Sequence, residues 1–80
     1  MMTIEEAEKK YGKLEEFDSR DENSRVWRTA PVDSIGIMFF TFDKKHLYNL
    51  FSDIPNELTP EQKKIFAEDE PMWAKLRGII

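Results

Sequence analysis

From Ile35 to Phe42 the chain reads Ile-Gly-Ile-Met-Phe-Phe-Thr-Phe, and this run constrains the fold more than any other. On a strand, successive side chains point to opposite faces, so Ile35, Ile37 and Phe39 share one side while Met38, Phe40 and Phe42 share the other. Both sides are apolar, so both need cover. A two-stranded sheet is marginal in water, which means that helices, a third strand or a second copy of the chain must provide that cover. Arg25 to Thr29 is β-branched and aromatic, and the five residues Ala30 to Ser34 separate it from the stronger run. Residues 25–42 therefore read as an antiparallel hairpin.

The helices announce themselves by their starts. Thr3-Ile4-Glu5-Glu6 has the form of a capping box, and Ile4, Ala7, Tyr11 and Leu14 recur at helical spacing, with Phe17 three residues further on. An N-terminal helix is expected over 1–17, with Gly12 weakening it by about 1 kcal/mol relative to Ala. Residues 18–24, Asp-Ser-Arg-Asp-Glu-Asn-Ser, contain nothing apolar and read as a solvated, mobile loop. Asp43 can cap a short helix over Lys44 to Phe51, with a third strand as the competing reading. Thr59-Pro60-Glu61-Gln62 is a second capping box with proline at the first helical position, and Pro71 ends that helix. A last short helix follows from Pro71, with Trp73 and Leu76 expected inward and Gly78 as its stop. The sum is one small α+β domain, 1–80. It has an N-terminal helix, an antiparallel hairpin or three-stranded sheet, and a helical part over 43–78 packed on one face.

Charge and composition bear on function by exclusion. The net charge of −4 arises entirely in residues 1–23, where eight acids face four bases; residues 24–80 hold eight of each. That distribution is the reverse of the basic stripe a nucleic-acid binder uses to displace counterions from phosphates. It suits a solvated helix face or an arm that docks a basic partner. With no cysteine there are no disulfides or thiolate metal sites, and a reducing cytoplasm is the expected setting. The longest apolar run falls far short of the ~20 residues that span a bilayer. No membrane association is expected.

Candidate chemistry is sparse. His46 is the lone histidine and has no second histidine or cysteine beside it for a metal, so it reads as a surface or half-buried helix residue. Asp43 with Asp53, or Glu57 with Glu61, can be drawn as acid–base pairs, yet a chain of this size offers little room for the pocket that raises one carboxyl. Ser19, Ser24, Ser34 and Ser52 lack the glycine elbow that exposes a nucleophile. No catalytic residue, cofactor site or metal site is therefore assigned, and the chain does not read as an enzyme. The partner-binding candidates are Arg25, Trp27 and Arg28, which could stack a base or grip a phosphate, together with Met38 and Phe40 on the two-sided strand. Trp73 could anchor a partner, although a small fold needs its aromatics inside, and both Trp27 and Trp73 are expected to be largely buried.

The string Phe-Asp-Lys-Lys, then Asn-Leu-Phe, Asp-Ile-Pro, Leu-Thr-Pro-Glu-Gln-Lys-Lys-Ile-Phe and Glu70-Pro71-Met72-Trp73-Ala74, resembles a family of small uncharacterised bacterial proteins of the domain-of-unknown-function kind. The resemblance covers roughly the last half of the chain and leaves the helix Thr3 to Phe17 outside it. It implies a bacterial intracellular origin and nothing about mechanism. The functional expectation is a non-enzymatic interaction or regulatory module. The alternatives are a nucleic-acid accessory protein acting through Arg25, Trp27 and Arg28, or a small subunit of an enzyme complex. The chain is expected to self-associate as a two-fold dimer through the two-sided apolar strand; the opposing possibility is that the N-terminal helix closes the second face, giving a three-layer monomer.

Overall fold

The computed structural model describes residues 1–80. Its elements in chain order are β1 (Met2–Thr3), α1 (Ile4–Tyr11), β2 (Trp27–Thr29), β3 (Phe39–Thr41), β4 (His46–Asn49), α2 (Pro60–Asp69) and α3 (Pro71–Leu76). The four strands form one antiparallel sheet in the order β1-β4-β3-β2. The fold is α+β: an N-terminal helix, a four-stranded antiparallel sheet and two short C-terminal helices.

The alternation read from the central strand holds. Phe39, Ala7 and Leu47 are buried on one side of the sheet, with Ile4, Tyr11, Leu14, Phe17 and Ile37 packed around them. Phe40 is buried on the other side with Val26, Leu50, Ile54, Leu58, Phe66 and Ala74, and Met38, Phe42 and Tyr48 pack against that cluster. Within it the Phe40 ring meets Phe66 edge-on at 4.9 Å between centroids. Each wholly buried phenylalanine contributes roughly 1.5–3 kcal/mol, so this pair is a large part of what holds a thin-margined domain together. The arrangement has three layers, with α1 below the sheet and α2 and α3 above it. The open face on which self-association was argued is absent, because α1 closes it within the chain.

The β2 edge of the sheet is covered as well. Residues 13–18 run beside β2 and extend it: Glu15 N–H donates to the Ala30 carbonyl (2.9 Å), Asp18 N–H to the Arg28 carbonyl (2.9 Å), and Arg28 N–H back to the Asp18 carbonyl (2.8 Å). The Thr29 hydroxyl adds a bond to the Glu15 carbonyl at 2.6 Å. Backbone groups that would otherwise offer a template for strand pairing are thus satisfied internally.

Four local expectations need correction. The first helix stops at Tyr11, because Gly12 takes φ 88° and its N–H closes the last turn on the Glu8 carbonyl. The hairpin strands are shorter than 25–42 implies: β2 and β3 are joined by residues 30–38, and Ile35 stands fully exposed near the tip, beside Gly36 at φ 85°. Lys44 to Phe51 is not a helix; the competing strand reading holds over His46–Asn49. The Asp43 carboxylate instead accepts from the N–H groups of Lys45 (2.8 Å) and His46 (2.9 Å), while Thr41 Oγ1 accepts from Lys44 N–H (2.9 Å), closing a turn between β3 and β4. An aspartate that bonds its own backbone in this way competes with helix initiation. In the last helix Ala74 faces inward, whereas Leu76 faces solvent. The second capping box forms as read: Thr59 Oγ1 accepts from Gln62 N–H (3.1 Å) and Gln62 Oε1 accepts from Thr59 N–H (2.9 Å).

Candidate functional site

The five sequence candidates do not converge. Trp27 pairs with Thr41 and Arg28 with Phe40, so Trp27 and Arg28 point to opposite faces of the sheet. Phe40 has no exposed surface and cannot meet a partner. Met38 is half-buried beside a cleft of about 190 Å³ that it shares with Arg28 and Asp18. Trp27 is half-buried, not largely buried, and its ring lies under the Lys44 ammonium, 4.7 Å from the centroid. Lys44 reaches it from a φ of 61°, a conformation that a lysine adopts at some cost and that the cation–π contact helps to offset.

Both arginines are already occupied. Arg25 lies against the end of α2: its Nη2 donates to Asp69 Oδ1 (2.8 Å) and Glu68 Oε1 (3.1 Å), and its backbone N–H donates to Asp69 Oδ2 (2.9 Å). Arg28 Nη2 donates to Asp18 Oδ2 at 3.0 Å. The Arg25 guanidinium holds the Asp69 carboxyl below the usual carboxylate range. Arg20 completes the cluster by donating to the Asp69 carbonyl (3.2 Å). Residues 18–24 are knit into a turn by bonds among Ser19, Asp21, Asn23 and Ser24. A polar cleft of about 410 Å³ between this turn and α2 is lined by no apolar residue.

Next to this cluster, at the junction of α2 and α3, Glu70 is only 9% exposed and its carboxylate makes no hydrogen bond or ion pair. Burial raises its pKa; Arg28 and Arg20 oppose the shift, whereas Asp69 and Asp18 reinforce it.

The paired carboxylates drawn from the sequence do not form. Asp43 is 2.8 Å from His46 Nδ1, with both side chains exposed at the turn. Burial works to raise the Asp43 pKa, but the His46 ring, the two backbone N–H groups and the Thr41 hydroxyl outweigh it and hold the carboxyl well below its usual range. Asp53 and Glu57 instead flank the Met1 ammonium, at 3.0 and 2.7 Å.

A different surface emerges on α3. At 100° per residue, Ala74 turns to the core while Met72 and Leu76 lie side by side outward, 69% and 59% exposed. Trp73 sits between the two directions, half-buried and 6.4 Å from the Phe40 ring. Met72, Trp73, Lys75 and Leu76 line a shallow, mostly apolar depression of about 600 Å³. On the Trp73 flank, Arg77 bonds the Ile54 and Phe51 carbonyls (3.2 and 3.1 Å) and lies 6.0 Å over the exposed Phe51 ring. The sequence reading missed Met72, Lys75, Leu76 and Arg77. The small Ala74 was the available signal, since only a small residue at the contact lets so short a helix lie close to the core.

No curated protein and no solved structure matches the chain. A family model does match, over residues 17–79, a span wider than the half first recognised; it takes in the ion-paired cluster, the whole of β2 to α3 and the apolar depression, and leaves α1 outside. The chain belongs to DUF7675, a family of unknown function.

Proposed function

We propose that the protein is a non-enzymatic protein-interaction module whose contact surface is the outer face of α3. The observation that carries this reading is the adjacency of Met72 and Leu76, two large apolar side chains left in water one helical turn apart, with the edge of Trp73 behind them. The rest of the fold covers both faces of its sheet, so this exposure is not the overflow of a crowded core. Aromatic and methionine side chains are the residues that interfaces concentrate at their centres. The lack of cysteine fits a reducing cytoplasm as its setting.

Nucleic-acid binding through Arg25, Trp27 and Arg28 has less support. Both guanidinium groups are neutralised by carboxylates of the same chain, and Trp27 faces away from Arg28. Catalysis has no support from the one histidine, which is paired with Asp43 on an exposed turn.

The test is capture from the native host by immobilised protein. Wild type and an Arg25→Ala variant are expected to retain the same partner, and a Met72→Ser/Leu76→Ser variant to lose it. Retention unaffected by the α3 substitutions would refute this assignment of the surface. Salt-dependent retention on a polyanion column, if observed, would revive the nucleic-acid alternative.

A further inference from the structure

We infer that the α3 face receives a short acidic and apolar peptide segment of another protein, with two apolar residues about one helical turn apart and carboxylates on either side. This rests on the reading of α3 as the contact surface and adds the chemistry of what it contacts. The argument starts from charge. Residues 71–80 contain Lys75 and Arg77 and no acid, whereas residues 1–70 carry sixteen acids against ten bases. The α3 end is thus a cationic island on an anionic protein.

Its charges are also unspent. Arg77 donates only to the backbone carbonyls of Ile54 and Phe51, and neither Arg77 nor Lys75 makes an ion pair. Arg25 and Arg28, in contrast, each face a carboxylate within about 3 Å. The helical rotation places Lys75 on one flank of Met72 and Leu76, and Arg77 on the other, beyond Trp73. An apolar stripe with an unpaired lysine on one border and, beyond Trp73 on the other, an arginine that meets no carboxylate is complementary to an apolar stripe flanked by carboxylates.

Size and field narrow the occupant. A six-residue helix is about 9 Å long, which is too short to bury the roughly 800 Å² per partner of a stable dimer. A segment of two or three turns matches it. An anionic membrane surface would attract Lys75 and Arg77, but two cations contribute only about 1 kcal/mol each, too little to hold the protein on it.

The experiment is selection of 12-residue peptides from a random display library on the intact protein, discarding those also held by the Met72→Ser/Leu76→Ser variant. The expected pool carries Asp and Glu well in excess of Lys and Arg around two apolar residues. Its best member should shift the amide resonances of Met72, Lys75 and Leu76, and should bind about tenfold more weakly to Lys75→Glu but normally to Lys75→Arg. A pool that is neutral, basic or empty overturns the inference, as does indifference to Lys75→Glu. Binding to vesicles containing phosphatidylserine, abolished by the same serine variant, would assign the face to membranes, and a dimer in sedimentation equilibrium would assign it to a second copy; either result overturns it. Failure of the two readings is distinguishable: if the native partner ignores the serine variant, the surface is wrong, and if it respects that variant but ignores Lys75→Glu, only the acidic character is wrong.

Discussion

The two ends of the C-terminal helical layer handle charge in opposite ways. Where α2 ends, Asp69 and Glu68 take the Arg25 guanidinium, Asp18 takes Arg28, and the turn over residues 18–24 is fastened down. Where α3 ends, Lys75 and Arg77 border Met72 and Leu76 and meet no carboxylate. A cluster that spends its charges internally positions a loop and has little left for a ligand. A surface that keeps its apolar side chains in water beside cations that meet no carboxylate is one that binding can still change. The sequence drew attention to the first region through Arg25-Val26-Trp27-Arg28, whereas the surface proposed above lies in the second.

Both regions rest on one side chain, and removing it is the largest break available. Phe40 meets Phe66 and lies near Trp73, so Phe40→Ala leaves a cavity below the α2–α3 junction. The expected loss is about 3–5 kcal/mol, read from the urea midpoint at constant slope. Against a total of roughly 5–15 kcal/mol, that variant should be partly unfolded at 37 °C.

The next largest effect sharpens the contrast, because it touches only the ion-paired end. Asp69→Ala removes the acceptor for both the Arg25 N–H and the guanidinium. Exchange of the Arg25 amide should accelerate about five- to tenfold while exchange in α3 stays at its wild-type rate. Asp69 is depressed by its arginine, so its contribution is present above the usual carboxylate range and is lost as pH falls through the lower folded-state value. Acidification should therefore reproduce the mutant in the wild-type protein.

Glu70 runs the other way. Its folded-state pKa is raised by burial, so the native state binds more protons than the unfolded one in that interval, and stability falls as pH rises through it. Glu70→Gln should stabilise the protein by on the order of 1 kcal/mol at pH 7, with part of the gain offset by the lost attraction of Arg28 and Arg20. Below the ordinary glutamate range the two proteins should unfold at the same urea concentration. A gain independent of pH would show that packing, not charge, explains it.

How far the sequence carried can be judged element by element. Thr3 and Thr59 with their box partners were legible because capping is local: all the atoms involved lie within four residues. The faces of Phe39 and Phe40 were legible because the strand period admits only one alternation. The residues of β4 could not be decided from sequence, since Leu47, Tyr48, Leu50 and Phe51 satisfy helical and extended spacing alike, and the decision rests on Asp43 closing a turn and on backbone pairing with β1 and β3. The ion-paired cluster was out of reach, because Arg25 and Asp69 are forty-four positions apart and nothing local couples them. The α3 face was hidden for a related reason. Which side of so short a helix turns outward is set by the sheet beneath it, and Leu76 looked as suited to the core as Phe66.

The smallest expected change is the one that best separates the two regions. Met72→Ser and Leu76→Ser each remove an apolar side chain that is mostly in water already, so little buried area is lost. Helix propensity falls slightly at each position, by a few tenths of a kcal/mol, and lower exposure of apolar surface improves solubility in return. Each variant should keep its unfolding free energy, read from the urea midpoint at constant slope, within about 0.5 kcal/mol of wild type. Surface residues chosen for stability give way when they are removed, as Asp69 is expected to do through the Arg25 amide. Residues kept for contact do not, and their loss registers only when a partner is present. A fall of 2 kcal/mol or more at Leu76 would place that side chain among the structural residues and return α3 to the core, leaving the protein without the surface proposed for it.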